Sequence, residues 1–135
     1  MKVQTLTLKC FKRFADQTFD FRDPETGLAK DLIVLVGPNG AGKSTVLQAI
    51  AALVATATGR ITGPKDLKWS GFNLELSGKG WARQTEIEVQ VEFANTEIEA
   101  TRDYYRRTSL NLQDGSVEPG QSSIVTLRYR PDLFG

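Results

Sequence analysis

Residues 32–45 read LIVLVGPNGAGKST, and this stretch decides the fold of the chain. Residues 32–36 are a continuous run of Leu, Ile and Val, which is typical of a strand buried on both faces. Residues 37–44 match the pattern G-x-x-x-x-G-K-[ST] in full. A buried strand before this loop and a helix after it form the context in which the pattern holds nucleotide phosphates. We therefore predict a central strand-loop-helix unit.

The residue types of the loop suit this chemistry. Gly40 and Gly42 permit backbone angles, and a close approach of phosphate, that a Cβ atom would obstruct. Lys43 adds a positive charge for the β- and γ-phosphates, and the Ser44 hydroxyl is a ligand for Mg²⁺. The motif thus predicts a site for ATP and Mg²⁺, with Lys43 as its catalytic residue; the alternative is a glycine-rich turn without a ligand. The predicted binding residues are Gly37, Pro38, Asn39, Gly40, Ala41, Gly42, Lys43, Ser44 and Thr45.

The residues after the loop have the spacing of an amphipathic helix. One apolar stripe consists of Val46, Leu47, Ile50, Leu53 and Val54. Gly59 is a stop signal for this helix. A glycine-containing loop is expected to follow, up to the next alternating segment.

Alternation of apolar and polar residues predicts strands elsewhere in the chain. Residues 3–8 and 18–21 are expected to pair antiparallel, with a turn at residues 23–27. Residues 85–93 have the clearest alternation, and their glutamates are expected on a solvated face. Residues 97–107 are predicted to return beside them as a β-hairpin. A last strand, with an uncovered edge, is predicted at residues 124–129.

Composition excludes several classes of function. The chain contains no histidine, so the commonest general base and metal ligand are absent from the sequence. Its 17 Lys and Arg against 16 Asp and Glu give a net charge of +1, which offers no general argument for a nucleic-acid partner. Cys10 is the only cysteine of the sequence, so an internal disulfide is excluded. Short apolar runs and the lack of a signal-peptide pattern predict a cytoplasmic protein that does not enter a membrane.

The loop, in the form Gly-Pro-Asn-Gly-Ala-Gly-Lys-Ser-Thr, resembles that of ABC-type ATPase heads. A narrower resemblance, to SMC, RecF and OLD-like ATPases of DNA repair, recombination and phage defence, covers residues 1–57. In these proteins a first strand ends in an aromatic-basic-polar-aromatic turn, here at residues 11–14, before a second strand and the phosphate loop. The resemblance implies an α/β fold of the P-loop NTPase, ABC-ATPase-like type. An antiparallel β lobe would lie beside the strand-loop-helix unit.

The resemblance also implies further site residues and partners. It places Lys12 or Arg13 beside the nucleotide, while the alternative is a basic pair on a solvated turn. It implies that residues 1–135 are the N-terminal portion of an ATPase domain, and that the domain is incomplete. The implied partners are a C-terminal half of the same head and a second head bridged by ATP, and DNA is left open as a partner.

The sequence departs from the family pattern at two motifs, and this limits the ATP hydrolysis that we expect from the chain. The sequence has no run of four apolar residues followed by Asp-Glu, which the family uses to hold Mg²⁺ and activate water. Residues 76–80 resemble the family's signature, but Ser77 lies only 34 positions after Lys43, so we interpret them as a coincidence. Gln113 and Gln121 are weak candidates for the family's glutamine loop. We therefore expect this chain to bind ATP without hydrolysing it alone. The alternative functions are an ATP-binding subunit of a transporter and a nucleotide-binding module that never hydrolyses ATP.

A cluster of cations and aromatics remains, in a combination suited to phosphate contacts and base stacking. The favoured alternative is that its arginines pair with the glutamates of residues 86–92 across the predicted hairpin. The cluster consists of Arg102, Tyr104, Tyr105, Arg106 and Arg107.

Overall fold

A computed structural model describes residues 1–67, 85–109 and 119–130. Within these ranges the expected α/β class is confirmed, and neither α-helix is long and apolar enough to cross a membrane. The strands are β1 Lys2–Phe11, β2 Phe14–Asp20, β3 Glu86–Glu92 and β4 Ile124–Tyr129. The helices are α1 Lys43–Ala57 and α2 Asn95–Ser109, with a 3-10 turn at Pro64–Asp66.

The four strands form one antiparallel sheet in the order β2-β1-β3-β4. The predicted pairing of the first two strands is confirmed, with Leu6 opposite Phe19. The pairing continues to Phe11 opposite Phe14, so a turn of only two residues joins β1 to β2. The predicted last strand is also confirmed, and it lies at the edge of the described sheet beside β3.

The predicted hairpin over residues 97–107 is wrong, because these residues lie in α2. The Glu97 carboxylate accepts a hydrogen bond from the Ala94 N–H at 2.8 Å, and the Ala94 carbonyl accepts one from the Ile98 N–H at 3.1 Å. These bonds occupy backbone groups at the start of the helix, as a capping box does. Asp103 and Arg107 add an ion pair one helical turn apart. The local signals for a helix therefore outweigh the weak alternation.

The core lies between α1 and one face of the sheet. Its fully buried large side chains come from β1 and β3: Leu6, Leu8, Ile87, Val89 and Val91. The helix contributes Val46, Ala49, Ala52 and Leu53, and the two alanines let it approach the sheet closely. The predicted stripe is right for Val46 and Leu53 but wrong for Leu47, which is 61% exposed. The stop signal is confirmed, since α1 ends at Ala57 and Gly59 has a φ of +70°.

The predicted central strand at residues 32–36 is not formed. Leu32 is 78% exposed, Val34 70% and Val36 89%, while Leu35 packs partly against the core. No strand of the described residues pairs with this segment, and a strand requires a neighbour for its backbone hydrogen bonds. The residues that the sequence marks as the most buried are therefore among the most exposed.

The alternation predicted for β3 is confirmed for Glu88 and Glu92, which are half-buried while the apolar residues between them are buried, but it is wrong for Glu86. Glu86 is only 9% exposed, and its carboxylate pairs with Lys9 of β1 and with Arg128 and Arg130. Arg130, which donates to Glu86 at 2.9 Å, lowers the pKa of this carboxyl group. Glu88 also pairs with Arg128. The β3 glutamates thus form ion pairs with β1, with β4 and with the residue after β4, and the predicted pairing with the arginines of residues 97–107 is wrong.

Candidate nucleotide site

The loop between residues 36 and 43 turns sharply on two glycines. Gly40 has a φ of +80° and Gly42 a φ of +100°, both in the left-handed region that favours glycine. The Ala41 N–H donates to the Pro38 carbonyl at 3.1 Å and closes a tight turn. Gly42 then serves as the N-cap residue of α1. The two glycines whose conformational freedom the sequence analysis invoked are therefore those with left-handed backbone.

The start of α1 offers backbone donors to the loop. The helix begins at Lys43, and no side chain hydrogen bond caps it. The first N–H groups of a helix have no partner within the helix, and they carry the positive end of its dipole. Ser44 is exposed at this end, whereas Thr45 is only 9% exposed. The helix start is therefore suited to an anion.

The Lys43 side chain folds back over the loop. Its Nζ donates to the Gly37 carbonyl at 2.5 Å and to the Pro38 carbonyl at 2.8 Å. Both acceptors are neutral, and a phosphate oxygen is a stronger acceptor for an ammonium group. The loop therefore holds the lysine in place while leaving it able to exchange these carbonyls for an anionic ligand.

The structure brings the basic turn between β1 and β2 to the same place. Lys12 and Arg13 line one cleft of about 290 Å³ together with the loop. The other lining residues are Asn39, Gly40, Ala41, Gly42, Lys43, Ser44 and Thr45. Three cations and two hydroxyls line this cleft and no carboxylate does, which fits a polyphosphate and a hydroxyl ligand for Mg²⁺. Gly37 and Pro38 contribute through the carbonyls that hold Lys43.

Other candidates lie elsewhere. Gln121 lines a separate polar cleft of about 330 Å³ with Arg102 and Arg106 of α2, so the structure does not bring it to the phosphate loop. Gln113 and the signature-like residues 76–80 fall outside the described ranges.

Two residues that the sequence analysis did not predict as site residues touch the site. The Phe14 ring packs directly against Gly42, and the Gln48 side chain accepts a hydrogen bond from Lys12 Nζ at 2.5 Å. The spacing of Gln48 could have indicated this contact, because Gln48 lies four residues after Ser44 and therefore on the same side of α1.

Known proteins resemble the chain over different lengths. A family profile described as an AAA domain matches residues 5–126. The DNA replication and repair protein RecF of Lactococcus lactis is 28% identical over 96 residues, which are 70% of this chain and 25% of that protein. The chromosome partition protein Smc of Methylococcus capsulatus is 27% identical over 123 residues, which are 91% of this chain and 10% of Smc.

The thiamine import ATP-binding protein ThiQ of Cereibacter sphaeroides is 42% identical over 62 residues, 46% of this chain and 24% of that protein. The chain therefore spans a quarter or less of the length of these three relatives. No solved structure matches the chain significantly. The expected resemblance to RecF and SMC ATPases is confirmed.

Proposed function

Because the chain belongs to the AAA domain family, we propose that it binds ATP with Mg²⁺ at residues 37–45, as the nucleotide-binding part of a RecF- or Smc-like ATPase. One observation carries the proposal. The complete phosphate-loop motif, the uncapped start of α1 and the basic turn line a single cleft of about 290 Å³. Neither the loop nor the turn alone would distinguish a nucleotide site from a glycine-rich bend.

Each residue has a role in this proposal. The backbone N–H groups around Gly40 and Gly42 and at the start of α1 surround the phosphates. Lys43 exchanges its two carbonyl partners for phosphate oxygens, and Ser44 holds Mg²⁺. When bound, Mg²⁺ supplies positive charge that screens the phosphate oxygens. Arg13 extends the positive charge of the cleft on the side of the basic turn.

The proposed partners follow from residues 32–36. Three of their apolar side chains are mostly exposed, and the segment has no strand beside it among the described residues. We propose that a C-terminal half of the same ATPase head supplies the neighbouring strands, as the greater length of the relatives supports. A second head bridged by ATP, and DNA, complete the proposed assembly.

The names of the relatives guide the proposed pathway. RecF is named for DNA replication and repair and Smc for chromosome partition, which supports a cytoplasmic role in DNA maintenance. Antiviral defence stays an alternative within the same resemblance. A transporter ATP-binding subunit is the second candidate, because ThiQ is 42% identical. The match to ThiQ covers 46% of this chain, whereas the match to Smc covers 91%. The match to ThiQ therefore supports a shared phosphate loop more than a shared function.

Calorimetric titration of the chain with ATP and Mg²⁺ tests the binding proposal. Lys43→Ala should weaken binding at least about tenfold, since a hydrogen bond from a charged group is worth about 1.5–3 kcal/mol. Lys30→Ala is the matched control, because Lys30 is exposed and lies outside the cleft. Equal affinities for a folded Lys43→Ala variant and the wild type would remove the assignment of the loop.

Turnover tests the proposed need for a partner. We expect the chain alone to bind ATP and to release no phosphate above the level of Lys43→Ala, because phosphoryl transfer needs groups that orient water. The sequence supplies the loop without the apolar Asp-Glu motif. Lys43-dependent turnover on the order of 1 per second or faster would show a complete catalytic site and contradict this expectation.

A further inference from the structure

The turn between β1 and β2 is held in an uncommon backbone conformation. Cys10 has a φ of +45° and Lys12 a φ of +51°, in the left-handed region that residues other than glycine rarely adopt. Such conformations cost free energy and persist where the surroundings impose them. Thr85 supplies one restraint, as its hydroxyl donates to the Cys10 carbonyl at 2.9 Å.

Phe14 provides a second restraint, on the side of the phosphate loop. A Cβ atom added to Gly42 would lie 2.6 Å from Phe14 Cζ and 3.1 Å from Arg13 Cδ, so the turn and the loop are in direct contact. Phe19 meets the Phe14 ring edge-on, with 5.6 Å between centroids. Phe19 in turn stacks on Phe21, a buried member of the core. This aromatic row connects Phe14 to the core of the lobe.

Lys12 provides a third restraint, on the side of α1. Its ammonium donates to Gln48 Oε1 at 2.5 Å, and partial burial lowers the pKa of Lys12. Lys12 and Arg13 both line the cleft, but Arg13, unlike Lys12, makes no ion pair or side-chain hydrogen bond within the described residues. The two basic residues of the turn therefore have different surroundings.

We propose that Phe14 and the Lys12–Gln48 hydrogen bond are positioning contacts that hold the backbone of the basic turn, and with it Arg13, against the phosphate loop. The inference rests on the proposed ATP site. Residue 12 is tied to α1 and residue 14 to the loop, so the residue between them is fixed from both sides. A long, flexible side chain that starts from a fixed backbone loses less entropy on binding.

Titration with ATP and Mg²⁺ tests the Lys12–Gln48 contact. Gln48→Met keeps the length of the side chain and removes the amide acceptor, so it should weaken binding about three- to tenfold, as for one net hydrogen bond. Gln48→Glu retains an acceptor for Lys12 and should therefore keep the wild-type rate of amide exchange at residues 12–14. In an Arg13→Ala background Gln48→Met should have no further effect, because the contact acts through Arg13. An equal loss in both backgrounds, or no loss in either, would overturn the proposal.

Phe14→Leu tests the aromatic contact in the same assay. We expect weaker binding, whereas Phe93→Leu, at another partly buried phenylalanine, should leave affinity unchanged. Hydrogen exchange of the free protein tests the positioning of residues 12–14 separately from nucleotide binding. The amides of residues 12–14 should exchange faster in Gln48→Met and in Phe14→Leu than in the wild type, and unchanged exchange would overturn the positioning role. Absence of Lys43-dependent ATP binding in the wild type would instead defeat the proposed function, and with it the role of Arg13.

Discussion

The antiparallel lobe and residues 32–36 are built from the same kinds of side chain but have opposite surroundings. In the lobe, Leu6, Leu8 and Val89 are fully buried between paired strands and α1. In residues 32–36, three of five apolar side chains are at least 70% exposed, and the backbone has no strand partner among the described residues. Hydrophobic pattern therefore indicates that a segment requires burial, and tertiary structure decides which element covers it.

This difference has an energetic consequence. Burial of a large aliphatic side chain is worth about 1.5–3 kcal/mol relative to its exposed state. The lobe has gained this stabilisation within the described chain, whereas Leu32, Val34 and Val36 have not. The same substitution should therefore have unequal effects in the two regions.

The largest expected effect is a difference in unfolding free energy between two leucine-to-alanine substitutions, one in each region. Leu8→Ala, at a side chain with 0% exposure, should lower the free energy of unfolding by about 2–5 kcal/mol. Leu32→Ala, at a side chain with 78% exposure, should change it by less than about 0.5 kcal/mol. Urea unfolding of the two variants and the wild type measures both. A comparable loss for Leu32→Ala would mean that residues 32–36 are already buried in solution, and it would end the contrast.

The parts of the fold that were predictable are those specified by local sequence. The loop motif located the start of α1 at Lys43, and alternation located β1, β3 and β4, because strand period and glycine requirements are local properties. The turn at residues 23–27 belongs to the same group: Gly27 has a φ of +69°, and its N–H donates to the Asp23 carbonyl at 2.8 Å.

The errors arise where the deciding contact is distant in sequence or polar. The half-buried side of α2 is formed by Ile98, Arg102, Tyr105 and Thr108. This spacing is helical, but two of the four residues are polar and an apolar pattern search overlooks them. The contact of Phe14 with Gly42 joins positions 28 residues apart, and local spacing does not reveal it. The cleft itself was anticipated at Lys12 and Arg13 by family resemblance, and its geometry required the structure.

A charge on residues 32–36 gives the next largest effect. Val34→Lys should reduce self-association of the chain several-fold, because an exposed apolar segment without strand partners favours aggregation, and a lysine opposes it. Its melting temperature should stay within a few degrees of the wild type, since Val34 is 70% exposed. Light scattering against protein concentration measures the association.

Val46→Lys is the matched control, because Val46 in the core is 3% exposed and a lysine there should unfold the chain. If Val34→Lys also unfolds the chain, residues 32–36 belong to the core and the two regions are not distinct. If association is unchanged, another surface mediates it.

The smallest expected effect lies where the two regions meet, at Glu92. Its Oε2 accepts a hydrogen bond from the Ala29 N–H and another from Gln4 Nε2, both at 3.0 Å. It therefore ties the loop that precedes residues 32–36 to β1 and β3. These bonds favour the ionised form, and the Ala29 N–H is the main cause of a lowered pKa for Glu92.

A lowered pKa in the folded state means that Glu92 stabilises the fold above the pKa of the unfolded chain, and that this contribution is lost as pH falls through the folded pKa. The urea midpoint of the wild type should therefore fall between about pH 6.5 and pH 3.5. Glu92→Gln keeps an oxygen acceptor for Ala29 but cannot titrate, so its midpoint should fall less over the same range. Glu99→Gln, on the exposed side of α2, should retain the full wild-type slope. Parallel slopes for all three proteins would show that Glu92 does not carry this pH dependence, and that the loop is attached to the lobe by other contacts.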